Sequence, residues 1–136
     1  MQDVIQVGRR IYPCLITIGY GGQGNDEIEA TGDVYGGEGD DTIKVRFRES
    51  TAYGGAGNDR ISVAYGGSDV EGGTGNDLIN VRGSHSLSDP GETTDIRFNV
   101  GDGKDIVQFQ HSDIILELGE GFTIGNINVS YPMMVE

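Results

Sequence analysis

Apolar residues in this chain recur two positions apart, in short runs. Ile28/Ala30, Ile43/Val45, Ile61/Val63, Ile79/Val81 and Val107/Phe109 each enclose one polar residue. A period of two marks a strand with one face buried. A second set, Val34, Ala52, Val70 and Phe98, stands two places before a glycine pair or its equivalent and predicts a companion strand. The first copy of that companion is imperfect, with Gly19 at the position and Ile18 beside it. Irregular stretches at Ala30–Asp33, Arg46–Thr51, Tyr65–Asp69 and Gly83–Asp95 separate each strand of the first kind from the next companion.

The glycine pairs belong to a repeat. Gly21-Gly22-Gln23-Gly24-Asn25-Asp26 returns as Gly36-Gly37-Glu38-Gly39-Asp40-Asp41, Gly54-Gly55-Ala56-Gly57-Asn58-Asp59 and Gly72-Gly73-Thr74-Gly75-Asn76-Asp77. The closing Asp advances by 15, 18 and 18 residues. A weaker fifth copy, Val100-Gly101-Asp102-Gly103-Lys104-Asp105, lies 28 residues further on, one period plus a ten-residue insertion. Each period therefore reads loop, strand, opposite turn, strand, which is one coil of a solenoid. The expected fold is all-β, a parallel β-roll or β-helix of about five to six coils, right-handed as parallel crossovers are. Asp3-Val4-Ile5-Gln6-Val7 matches the second half of a repeat. Ile114, Leu116 and Gly119-Glu120-Gly121 fit a last strand and loop, but Thr123 stands where the Asp belongs. Residues 1–118 are thus expected to form the roll, with an insertion at 83–95, and residues 119–136 a degenerate capping segment without metal.

Composition narrows the function classes. With 24 Gly, no Trp and 35% hydrophobic residues in 136, a core of large side chains or long helices is excluded. The glycines lack an every-third spacing and only 3 Pro accompany them, so the chain is not collagen-like. No apolar run reaches the roughly 18 residues of a transmembrane helix, and MQDVIQVGRR has no signal-peptide features. A single cysteine, Cys14, excludes an internal disulfide framework. Nine basic residues against 22 acidic give a net charge of −13, which disfavours nucleic acid and anionic membranes as partners. No nucleophile–base constellation, catalytic carboxylate pair or phosphate loop is present, so these residues are not expected to form an enzyme.

The runs GGQGNDEIE, GGEGDDTIK, GGAGNDRIS and GGTGNDLIN resemble the glycine-rich nonapeptide repeats of the repeats-in-toxin family, strongly over Gly21–Asn80 and more weakly to about residue 118. The resemblance implies a β-roll with Ca²⁺ held between stacked loops. It also implies export by type I secretion machinery and an extracellular location, in the manner of Gram-negative bacteria. The ligands it implies are the Asp at position six, Asp26, Asp41, Asp59, Asp77 and Asp105, and the carbonyls of positions one to four. Those carbonyls belong to Gly21, Gly22, Gln23 and Gly24; Gly36, Gly37, Glu38 and Gly39; Gly54, Gly55, Ala56 and Gly57; Gly72, Gly73, Thr74 and Gly75; and Gly101, Asp102 and Gly103. Successive Asp pairs frame four calcium sites, with a fifth frame between Asp3 and Asp26. Unlike the family's usual run, the repeat occurs once per coil, so calcium is expected along one edge. The abrupt start suggests a segment of a longer secreted protein, whose enzyme or toxin activity would lie elsewhere.

The chemistry fits that implication. Stacked strands lie about 4.8 Å apart. Two carboxylates at that spacing repel by roughly 3.5 kcal/mol at an effective dielectric of about 20. A cation between loops turns repulsion into a bridge, and an all-oxygen donor set suits Ca²⁺. Four or five sites, each at ten times its Kd, add roughly 6–7 kcal/mol, the size of a domain's stability. Folding is therefore expected to depend on calcium.

Other features carry weaker expectations. Tyr20, Tyr35 and Tyr53 each precede a glycine pair and should stack on one outward face, ended by Glu71 and Asn99. Such a face offers a second function, a calcium-stiffened adhesin or a module binding a glycan or a protein. Asp33 and Asp69 share a column that Thr51 interrupts. His85, His111 and Cys14 read as unspecialised residues, and Asp89-Pro90 as a turn. Position three reads Gln23, Glu38, Ala56, Thr74 and Asp102, so no regular Thr file exists for ice binding.

Overall fold

The structure, a computed structural model, describes residues 4–5, 18–46, 49–65, 67–83, 93–99, 101–110 and 113–121. Asp3, Cys14, His85, Asp89, Pro90, His111, residues 84–92 of the insertion and residues 122–136 of the expected cap lie outside them.

Among the described residues twelve strands follow in order: β1 (Val4–Ile5), β2 (Gly19–Gln23), β3 (Glu27–Ala30), β4 (Val34–Glu38), β5 (Thr42–Val45), β6 (Thr51–Ala56), β7 (Arg60–Ala64), β8 (Asp69–Thr74), β9 (Leu78–Arg82), β10 (Thr94–Phe98), β11 (Ile106–Gln110) and β12 (Ile114–Leu118). Odd strands form one sheet, ordered β1-β3-β5-β7-β9-β11, and even strands the other, ordered β12-β10-β8-β6-β4-β2. Every pairing is parallel, so the chain winds as a β-solenoid. Among the described residues no helix is long and apolar enough to cross a membrane.

Register follows the apolar alternation. Ile28, Ile43, Ile61, Ile79 and Val107 align in one file, and Ala30, Val45, Val63, Val81 and Phe109 in the next. The even sheet opposes them with Val34, Ala52, Val70 and Ile96. From Ile28 to Ile96 these inward side chains are at most 2% exposed. Burying one Ile or Val contributes about 1.5–3 kcal/mol, and a one-residue slip would turn a whole file to solvent. Ile5 pairs with Ile28, in the phase expected for the half-repeat at the start. Gly19 takes the place of Val34, where a Cβ would come within 3.0 Å of Ile28 Cγ2. That explains the imperfect first copy.

The fifth coil corrects the expected phase. Ile96, not Phe98, pairs with Val70, and Arg97 pairs with Glu71. Phe98 therefore takes the place of Gly72, the first glycine of the loop below. The downstream strand is back in phase, with Ile106 on Leu78. Ile96 and Ile106 lie ten positions apart where Val70 and Leu78 lie eight. The insertion is thus split, two residues in the fifth loop and the rest in the opposite turn. For the same reason Arg97, and not Asn99, follows Glu71 in the outward file.

Candidate functional site

The glycine loops all lie on one edge of the solenoid, where even strands hand over to odd ones. Their second and fourth glycines have positive φ, as at Gly37 (117°) and Gly39 (125°), a region L side chains rarely adopt. Their first glycines serve a different purpose. A Cβ on Gly36 would collide with both Asp41 Oδ2 and the Gly54 carbonyl, and one on Gly54 with Asp59 Oδ2 and the Gly72 carbonyl. In each case one methyl-sized volume lies between a carboxylate oxygen and a peptide oxygen of the next coil. Carbonyls of the second and fourth positions abut the matching glycines one coil on, as Gly37 O does at Gly55 and Gly39 O at Gly57. The gap between loops is therefore lined with oxygen from both sides.

The position-six residues form the expected column. Asp26, Asp41, Asp59 and Asp77 are buried, at most 3% exposed, and Asp105 is half-buried. Asp41, Asp59, Asp77 and Asp105 each use Oδ1 to accept the backbone N–H of the preceding Asp in the column, at 2.8 Å in all four steps. Among the described residues, Oδ2 of Asp41, Asp59 and Asp77 is buried and accepts no hydrogen bond. Burial raises the carboxyl of Asp59 to about 7 and that of Asp77 to about 6. The N–H bond to Oδ1 opposes this shift, and neighbouring carboxylates reinforce it: Asp77, Asp41 and Asp40 at Asp59, Asp105 and Asp102 at Asp77. Asp41 and Asp105 are raised as well, again chiefly by burial.

A second ladder beside the column was not anticipated from the sequence. Asn25, Asp40, Asn58 and Asn76 at position five each accept, through Oδ1, the backbone N–H of the next coil's position five, at 2.7–2.9 Å. These bonds run opposite to those of the Asp column: position five accepts from the coil after it, position six from the coil before. The signal was in plain view, since every loop has Asn or Asp there until Lys104. The carbonyls of position three are engaged too. Glu38, Ala56, Thr74 and Asp102 accept the N–H of Gly24, Gly39, Gly57 and Gly75 at 2.6–2.8 Å. Their side chains point outward at Gln23, Glu38, Ala56 and Thr74, all exposed.

Asp102 differs from these. It is 7% exposed, and its Oδ2 accepts the Asn99 N–H at 2.5 Å, closing the longer fifth loop on itself. Gly101 has open space where a Cβ would stand, and Gly103 abuts the Gly75 carbonyl, in step with the loops before it. At Gly72 the crowding comes from its own Asp77, with Phe98 occupying the next coil's glycine position.

These residues offer an all-oxygen donor set, the kind that Ca²⁺ takes. At Asp41 and Asp59 a buried carboxylate oxygen without a donor lies across a methyl-sized gap from a peptide oxygen of the next coil. Among the described residues no three His, Cys, Asp or Glu side chains gather about one point. A cation here would instead take carboxylate oxygen from the column and complete six to eight ligands with carbonyls, as Ca²⁺ does and Zn²⁺ does not.

Away from the loops, the rings of Tyr20, Tyr35 and Tyr53 stack with centroids 5.0 Å apart and planes 10° apart. Beyond Tyr53 the file continues as Glu71, Arg97 and Glu117, the last two paired at 3.0 Å. Asp33, Thr51, Asp69 and Asp95 form the neighbouring outward file; the Thr51 N–H donates to Asp33 Oδ1 at 3.1 Å. No family model, curated protein or solved structure matches the chain.

Proposed function

We propose that this chain is a calcium-dependent folding module, built from repeats of the repeats-in-toxin kind and belonging to a secreted bacterial protein. The observation that carries this reading is the file of buried Oδ2 atoms at Asp41, Asp59 and Asp77, each without a hydrogen-bond donor among the described residues, with a peptide oxygen of the next coil across the gap at Asp41 and Asp59. A buried carboxylate left unpaired is among the costliest arrangements a fold can contain. Bound Ca²⁺ supplies the missing positive charge. The chain's own part is to hold Oδ1 on the backbone N–H of the preceding loop, which leaves Oδ2 oriented into the gap. Glycine keeps that gap free of side-chain carbon. At low calcium the column repels itself, which suits passage through a type I export channel as an unfolded chain. Outside the cell, at millimolar calcium, the coils close.

The stacked tyrosines fit a glycan-binding role less well. Both faces of Tyr35 are covered by its neighbours, and a saccharide ring stacks on aromatic faces.

The test is a calcium titration of the chain followed by circular dichroism, with Mg²⁺ as control. A cooperative gain of β-structure near millimolar Ca²⁺, absent with Mg²⁺, is expected. Asp59→Asn keeps the Oδ1 acceptor but removes the charge, and should move the midpoint upward by about tenfold, or ~1.4 kcal/mol. Full β-structure in chelator would refute the reading.

A further inference from the structure

The tyrosine file has a chemical consequence independent of calcium. Tyr35 lies between two phenols whose rings are nearly parallel to its own, 5.0 Å away on either side. Cross-strand register fixes this arrangement, because Tyr20, Tyr35 and Tyr53 pair directly along β2, β4 and β6. The stack is also open to solvent, with Tyr20 63% and Tyr35 36% exposed. Tyr65 is 55% exposed, and no other ring stacks on it among the described residues.

We propose that Tyr35 is a site of intramolecular dityrosine formation, coupling to Tyr20 or Tyr53 when the protein meets a peroxidase-type one-electron oxidant with hydrogen peroxide. Each phenol gives up one electron and its hydroxyl proton, leaving a phenoxyl radical with spin density on the carbons ortho to oxygen. Two such carbons join in one C–C bond. Their two hydrogens leave the ring carbons as the rings regain aromaticity, and each oxygen is reprotonated. The net change is the loss of two electrons and two protons, which reduce one hydrogen peroxide to two waters. Holding the partners in one stack makes the coupling unimolecular, with the large effective concentration of oriented groups. Parallel rings need only tilt toward each other about their side-chain torsions to bring like ortho carbons together. The product is a covalent staple between adjacent coils.

The experiment oxidises the full chain with horseradish peroxidase and limiting hydrogen peroxide, under conditions where circular dichroism shows the β-fold. The readouts are dityrosine fluorescence and mass spectrometry of peptides from a glutamate-specific protease, which cuts between Tyr20 and Tyr35 at Glu27 and Glu29 and between Tyr35 and Tyr53 at Glu38 and Glu49. The expected product is a monomer lighter by two hydrogens, with Tyr35 joined to Tyr20 or Tyr53 at a yield independent of protein concentration. Tyr35→Phe, which keeps the stack, should abolish these cross-linked peptides, and Tyr65→Phe should leave them unchanged. The proposal is overturned if the folded chain gives no Tyr35 link, gives links only between chains, or couples Tyr65 as readily as Tyr35.

Discussion

On the loop edge, the first four connections between sheets are each three residues long: 24–26, 39–41, 57–59 and 75–77. On the opposite edge the four connections between β3 and β10 are three, five, four and eleven residues long, at 31–33, 46–50, 65–68 and 83–93. The loop edge repeats because its peptide groups are satisfied from coil to coil through the ladders at positions three, five and six. The opposite edge closes by individual turns, with Glu49 (φ 56°) and Tyr65 (φ 78°) in left-handed conformations. Its inward positions also differ in kind. Ser50, Ser68 and Thr94 bury neutral hydroxyls where the loop edge buries carboxylates. Regularity and unbalanced charge thus occur together on one edge, and metal dependence should be confined to it.

Gly54→Ala is the most damaging way to break this contrast. The new methyl meets Asp59 Oδ2 and the Gly72 carbonyl at once, and neither backbone can retreat without disturbing its own ladder. A loss of about 2–3 kcal/mol in the calcium-loaded protein is expected from chemical denaturation. The calcium midpoint should rise in the same variant.

Acidity should partly replace calcium. Asp59 and Asp77 titrate near 7 and 6 in the folded chain, against about 3.9 when unfolded. The folded state therefore binds more protons between these values. Its resulting stabilisation is complete below about pH 4 and is lost as pH rises through 6 to 7. In chelator, β-structure should grow as pH is lowered from 8 to 5. With calcium present the sign reverses, because protons compete for the same oxygens, and the midpoint should rise over that range. Circular dichroism at fixed ionic strength reads both.

The smallest effect belongs to the opposite edge. Ser68 Oγ is buried and makes no hydrogen bond among the described residues, so Ser68→Ala removes an unsatisfied group and leaves the charge unchanged. A stability change of no more than about 1 kcal/mol, neutral or favourable, is expected by denaturant titration. The calcium midpoint should not move. A shift as large as that of Gly54→Ala would mean the two edges are not independent.

Most of this contrast is legible in the sequence. The glycine spacing sets the loops, and the Ile-x-Val pairs set the strand faces. Together they place Asp26, Asp41, Asp59 and Asp77 in one column. The fifth coil is harder to read for a specific reason. Ile96 and Phe98 are two apart and face the same way, so alternation cannot tell which of them continues the file of Val70. Only pairing across the sheet decides, and it moves the loop by two residues. The same ambiguity lies between Arg97 and Asn99 as the residue that follows Glu71, and the pairing settles it on Arg97. The position-five ladder escaped for another reason. Asn and Asp are common in turns on local grounds, and their acceptor role appears only when one coil is laid on the next.

Lys104 gives the position-five ladder a terminus. At every earlier coil, position five offers an oxygen to the loop that follows, but a lysine ammonium has only protons to give. A further loop laid on this end, from this chain or a neighbouring molecule, would find no acceptor there and would have to desolvate a cation. Repeating architectures with self-complementary ends risk growing into open filaments. Here Lys104 ends the position-five ladder, so a copy stacked on this loop would miss the acceptor that every earlier coil offers.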